Sequence, residues 1–149
     1  MTTTTARAPE SVHGTWVNST PAVSLGTSAL GFKQRSGTTW TGDLAGTTTY
    51  VAYTRADPRH PGAGVGTIDE IFTGSVSGIG HGRLYLREHF TVAASGGAIR
   101  NAATITRGDG GLTGVKGAIV FVGTLDVNAD GTAAISGLGR GSYTGTITH

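Results

Sequence analysis

The stretch Gly64–Ala94, GVGTIDEIFTGSVSGIGHGRLYLREHFTVAA, decides the fold class. Its alternation of apolar and polar residues has a period of two, which reads as two β-strands joined at Ser77–His81. Ile68, Glu70, Phe72 and Val76 share one face of the first strand, and Leu84, Leu86, Glu88, Phe90 and Val92 share one face of the second. A turn centred on Ile79 sets Phe72 opposite Leu86, Ile68 opposite Phe90, and Glu70 opposite Glu88. The same register sets His89 across from Asp69 on the polar face, as a surface pair. Two carboxylates then meet on an otherwise apolar surface, the one arrangement in the sequence that suggests chemistry.

Reading outward from this hairpin, Ser95-Gly96-Gly97 makes a tight turn into Ala98–Arg107. That turn places Ile99, Asn101, Ala103 and Ile105 on the face of Glu88 and Phe90. A glycine-rich connection over 107–117 follows, then a strongly apolar strand from Gly117 to Val127 with Ile119, Phe121, Leu125 and Val127 in one row. Asn128–Gly131 turns the chain, and the last stretch brings Tyr143, Gly145 and Ile147 together. Toward the N-terminus, the loop over 56–66, with two Pro and three Gly, is either a lid at a barrel mouth or a solvated connection. Thr38–Arg55 reads as one long strand, with Trp40, Leu44 and Tyr50 of one parity. Val12–Asn18 reads as a first strand with Val12, Gly14 and Trp16 on one face, ended by Pro21, which cannot donate to a ladder. Residues 22–34 read as a second, poorly patterned strand.

Composition agrees with an all-β chain. The 149 residues include 26 Gly and only 13% charged residues, and Thr is abundant. Glycine supplies turn conformations and β-branched Thr suits strands. No window of helical period is long enough and free of glycine. The expectation is an antiparallel barrel of about eight strands, or a sandwich, over residues 11–149 after a disordered tail at 1–10. The net charge of +2 comes from 11 Lys and Arg scattered singly, so no nucleic-acid partner is expected. The absence of Cys excludes disulfides and thiol chemistry. No apolar run approaches a membrane span and no signal peptide opens the chain, so a cytoplasmic protein without a membrane partner is expected. The five His have no metal-ligand spacing. Asp126–Gly131 matches the start of a calcium loop, but its twelfth position is Gly137 instead of Glu, so it reads as a turn. No metal or cofactor is expected.

Five segments carry a family resemblance: HGTWVNS, WTGDLAG, DEIFTGSVSGIGHGRLYL, ITRGDGGLTGVKG and GSYTGTI. Their order resembles a bacterial family of uncharacterised barrels with the pattern GTF-x-V, F-x-GD-x-x-G, E-x-F-x-G-x-x-x-G-x-x-G, GSGTGxLxGxxG and GxY. That family is similar in turn to the allene oxide cyclase-like barrels, of lipocalin-like, calycin-type architecture. The likeness covers roughly residues 12–147 on the length prior for such barrels and rests mostly on glycines and turns. Glu70 falls on the family's acidic position, four residues before Gly74. Glu88 has no counterpart in the pattern, and the loop from Gly108 to Leu112 is shorter than the family's. The resemblance implies a barrel enclosing one small apolar molecule, among relatives that range from cyclases and isomerases to proteins that only bind.

On this basis Glu70 and Glu88 are the candidate acid and base, with Tyr50 and Tyr143 as phenol donors to a substrate oxygen. Trp16, Trp40, Phe72, Leu86, Phe90, Asn101 and Phe121 are the candidate substrate-binding residues. The expected activity is a cofactor-independent cyclase or isomerase acting on a small polyketide-like or polyunsaturated molecule. The alternatives are a barrel that only binds or carries a lipophilic molecule, and an oligomeric barrel, dimer or trimer, with a filled interior.

Overall fold

The computed structural model describes residues 7–94, 97–126 and 138–149. Among them there is no helix. Eight antiparallel strands close into one barrel in sequence order: β1 (Glu10–Ser28), β2 (Gly31–Gly42), β3 (Leu44–Ala56), β4 (Gly64–Val76), β5 (Gly80–Val92), β6 (Ala98–Gly110), β7 (Lys116–Leu125) and β8 (Gly139–Thr148). Closure is completed by β1 against β8, from Glu10↔Ile147 to Val17↔Arg140. An up-and-down barrel of this kind follows from alternating strands separated by short turns, with one face apolar and the other rich in Thr, Ser and charge.

The β4–β5 hairpin forms as expected, but its register is centred on Gly78. Phe72 pairs with Leu84, Glu70 with Leu86 and Ile68 with Glu88. The reason is the turn: Ile79 N donates to Val76 O at 3.0 Å, and Gly78 takes the left-handed φ of 73° that glycine tolerates best. The slip is two residues, so every side chain keeps its face. Glu70 and Glu88 are therefore diagonal neighbours, not directly opposed. On the outer face His89 pairs with Thr67, while Asp69 pairs with Arg87 and accepts its Nε–H at 3.1 Å.

Four other expectations change. Thr38–Arg55 is not one strand but the β2–β3 hairpin, broken at Asp43. Asp43 bridges neighbouring strands there: its carboxylate accepts His13 N at 2.8 Å and its own N–H donates to His13 O at 3.0 Å. Pro21 does not end β1. The strand passes it between register irregularities at Asn18/Thr20 and Thr20/Val23, where a missing donor costs no ladder bond. Residues 22–34 thus hold the end of β1, a turn and the start of β2. The expected loop at 56–66 is shorter, Asp57–Ala63 between β3 and β4. The β7 strand stops at Leu125, and Val127, the Asn128–Gly131 turn and most of the calcium-like motif lie outside the described residues.

The barrel has a packed end and an open end. The β2–β3, β4–β5 and β6–β7 turns gather at the packed end, where Leu44, Leu84, Leu112, Val115 and Ile119 are fully buried. Above them lies an aromatic layer, with Trp40 stacked on Phe72 at 4.9 Å between centroids and Phe121 tilted against it at 5.0 Å. Tyr143 joins this layer 5.8 Å from Trp40. Its hydroxyl accepts Leu44 N–H at 2.9 Å and shares its one proton between the carbonyl oxygens of Thr41 and Leu44, at 2.9 and 3.0 Å. Gly14 makes room for this: a Cβ there would collide with the Tyr143 hydroxyl and the Thr41 carbonyl.

Tyr143→Phe is expected to leave the buried Leu44 N–H without an acceptor and to cost about 1–3 kcal/mol. Urea unfolding of the variant beside the parent measures this. An unchanged midpoint would mean that the tyrosine does not brace the β2–β3 turn.

Candidate functional site

Above the aromatic layer the side chains no longer meet across the barrel, and a cavity of about 420 Å³ opens toward the loops at the other end. Small-molecule sites span roughly 300–1,000 Å³. A second apolar cluster, Ala52, Ile68 and Phe90 with Tyr50 and Val92 against it, forms much of the wall. The rim includes Gly62 and Ala63 of the β3–β4 loop together with Arg55 and Phe32. That loop is held by its own bonds: Asp57 N donates to Ala63 O at 2.9 Å, and the Asp57 carboxylate meets His60 Nδ1 and Arg59 N, each at 2.9 Å. The His60 contact, followed by the Arg59 N–H, holds the Asp57 carboxyl below its ordinary range. The loop is a fixed part of the rim.

Polar groups cross the floor of this cavity. Period-two alternation carries Ser36, Thr38 and Trp40 of β2, Thr48 and Tyr50 of β3, Glu70 of β4, Glu88 of β5 and Asn101 of β6 to the inner face. Trp40 Nε1 donates to Thr38 Oγ1 at 2.9 Å, Thr38 and Thr48 share a short hydroxyl contact, and Thr38 Oγ1 donates to Glu70 Oε1 at 3.2 Å. These bonds fix the Glu70 carboxylate. Asn18 Nδ2 donates to the Tyr50 hydroxyl at 3.1 Å, and Ser36 Oγ donates to Thr20 O at 2.8 Å. On the far wall Asn101 Nδ2 donates to Glu88 Oε2 at 2.9 Å.

Glu88 is only 1% exposed. Its Oε1 and Asn101 Oδ1 are buried without a hydrogen-bond partner. Burial, and after it the nearby Glu70 charge, raises the Glu88 carboxyl well above the usual carboxylate range, against a smaller opposing effect of Asn101. Burial thus favours the neutral form of Glu88. Burial likewise raises the Tyr50 hydroxyl, which keeps it protonated. The floor presents two carboxyls, a phenol O–H and an amide carbonyl within an apolar wall.

Of the residues expected from sequence, Glu70, Glu88, Tyr50, Trp16, Trp40, Phe90, Asn101 and Phe121 line the cavity. Three do not. Phe72 and Leu86 are packed within the core cluster below it. The hydroxyl of Tyr143 is committed to the β2–β3 turn, so it is a bracing residue with no proton to offer a ligand. Sequence reasoning missed Asn18, Thr38 and Gln34, which line the cavity, and Thr48, which anchors Thr38. The signal was present: inward positions 34, 36 and 38 of β2 are all polar, a pattern a dry core does not accept.

No family model matches the chain, and no curated protein matches it. Among solved structures, the barrel is similar to a protein of unknown function of the DUF3224 family from Shewanella oneidensis MR-1. The two share 16% identity over 94% of this chain and 97% of that one, with a TM-score of 0.63. The likeness shows the fold alone.

Because the folded state holds the Glu88 proton and the unfolded chain releases it near pH 4.3, the folded state binds more protons above that pH. Stability contributed by Glu88 is full below about pH 4.3. It declines as pH rises, by up to about 1.4 kcal/mol per unit, until the raised folded value is passed. Glu88→Gln removes this slope. Thermal unfolding between pH 4 and 8 is expected to show the variant gaining on the parent as pH rises. Parallel curves would mean that Glu88 ionises at its ordinary pH.

Proposed function

We propose that the barrel binds one small, largely apolar molecule in the cavity and isomerises or cyclises it by acid–base chemistry without a cofactor. The observation that carries this reading is Glu88: a buried carboxyl in the lining of the cavity, whose Oε1, like the Oδ1 of the neighbouring Asn101, is buried without a hydrogen-bond partner. An isolated buried carboxyl is costly to fold around, and a ligand oxygen placed at Oε1 would supply the missing partner. The resemblance to allene oxide cyclase-like barrels supports the same class of reaction, in which shape and orientation supply much of the rate.

In this reading Glu88 donates its proton to a carbonyl, enol or epoxide oxygen of the substrate, and the Glu70 carboxylate accepts a proton from carbon. Transfer of that proton between the two carboxyls restores the starting state, so the reaction needs no oxidant, reductant or co-substrate. Tyr50 donates a hydrogen bond to developing negative charge on oxygen. Trp16, Phe90, Phe121 and Ile68 shape the cavity that folds the substrate.

The test is a panel of unsaturated and oxo-substituted apolar molecules. Binding is scored by displacement of anilinonaphthalene sulfonate, and turnover by mass-neutral change in chromatographic retention. Glu88→Gln and Glu70→Gln are expected to keep binding within a few-fold and to lose about 10²–10⁴ in turnover. Undiminished turnover in both variants removes the acid–base step and leaves a barrel acting by shape. A ligand that the parent protein releases unchanged favours carriage.

A further inference from the structure

The open end carries a feature that the proposed chemistry does not use. Among the described residues, β1 pairs with β8 only as far as Val17, whereas its pairing with β2 continues to Ser28↔Gly31. Beyond Val17, β1 therefore has only β2 as a described partner, while β2 stays paired with β3 from Phe32↔Thr54 onward, and the β1–β2 hairpin stands at the cavity mouth. On it Val23, Leu25, Leu30 and Phe32 are exposed by 52, 40, 64 and 38%. A cluster of large apolar side chains at the mouth marks a surface that something covers. Phe32 also lines the cavity, so the apolar surface outside adjoins the apolar surface within.

Charge is segregated to the same end. Lys33 and Arg35 lie near the start of β2, Arg55 near the end of β3, Arg59 in the β3–β4 loop and Arg100 near the start of β6. None of these has a carboxylate within 4.0 Å among the described residues; of the two described acids at this end, Asp57 is engaged by His60, and Asp126 is exposed just past β7. At the packed end the acids are matched: Glu10 by Arg7, Asp43 by His13 and Asp109 by Arg107. With a net charge of only +2, the chain is not generally basic; most of its cations without a carboxylate partner lie toward the mouth, and Arg83 and Lys116 lie toward the packed end. Lys33 also lies over the Tyr53 ring at 5.7 Å, an aromatic and ammonium pairing suited to a water–lipid boundary.

We infer that the open end docks on an anionic lipid surface, with the hairpin tip entering the headgroup layer and the cations resting over the phosphates. A second copy would bring the same cations against these, which charge complementarity disfavours. The contact inferred is peripheral, made by the hairpin tip and the cations alone. Its consequence is a route by which an apolar ligand passes from bilayer to cavity without crossing water. That consequence rests on the cavity being a ligand site; the docking itself does not depend on the acid pair.

Flotation of the full chain with vesicles tests this, using phosphatidylcholine alone and phosphatidylcholine with one third phosphatidylserine. Partition is expected into the anionic vesicles only, declining as salt is raised. Lys33→Glu and Arg59→Glu are each expected to weaken it by about fivefold or more. Leu30→Asp is expected to abolish it while circular dichroism shows the barrel intact. Glu88→Gln is expected to partition like the parent, so loss of turnover and loss of docking are separate results. Equal partition into neutral vesicles, or no effect of Leu30→Asp and Lys33→Glu, overturns the inference. So does a concentration-dependent dimer in light scattering that Leu30→Asp dissolves, which assigns the tip to a second copy.

Discussion

Eight strands enclose an interior that side chains can just fill, and in this barrel the filling stops where Trp40 stacks on Phe72. Everything below that contact is dry and close-packed: Phe121 and Tyr143 complete the layer, and Leu84, Leu112 and Val115 close the end. Everything above it is lined but not filled. The two indoles also differ in task. Trp40 gives its N–H to Thr38 and so ties the aromatic layer to the polar floor above. Trp16 sends its N–H outward to the Val122 carbonyl at 3.2 Å and contributes only its ring to the cavity.

The polar floor is the costly part of the molecule. Two carboxyls are buried near one another, each with one side-chain hydrogen bond. Thr38 and Thr48 hold Glu70 in place, whereas Glu88 rests on Asn101 alone. Burial, and after it the nearby Glu70 charge, holds the Glu88 carboxyl above its usual range. An apolar pair of the same volume would make a more stable barrel, which is why the arrangement reads as serving a ligand.

The faces of the strands were legible because parity survives an even error. Placing the β4–β5 turn at Ile79 instead of Gly78 moved every cross-strand partner yet left Glu70, Glu88, Phe72 and Phe90 pointing inward. Depth along the barrel was not legible. Parity says that Phe72, Leu86 and Tyr143 face inward; whether they lie beside the cavity or below it depends on register and stagger around the whole closure. Tyr143 illustrates this, since its hydroxyl is consumed by a turn that sequence reading had treated as mid-strand. The threonines were hidden by abundance: Thr38 and Thr48 look like the many Thr of the outer face until strand pairing sets them beside Glu70.

Arg7 Nη1 lies 2.6 Å from His149 Nε2, which places the first and last described residues side by side at the packed end, a barrel length from the mouth. A surface tether or fused reporter attached at either one would hold the barrel upright with its cavity facing away from the support. The same proximity would let a short linker join the two, with new ends opened between Ser28 and Gly31. Both strands would then end freely at the mouth, with β2 still paired to β3.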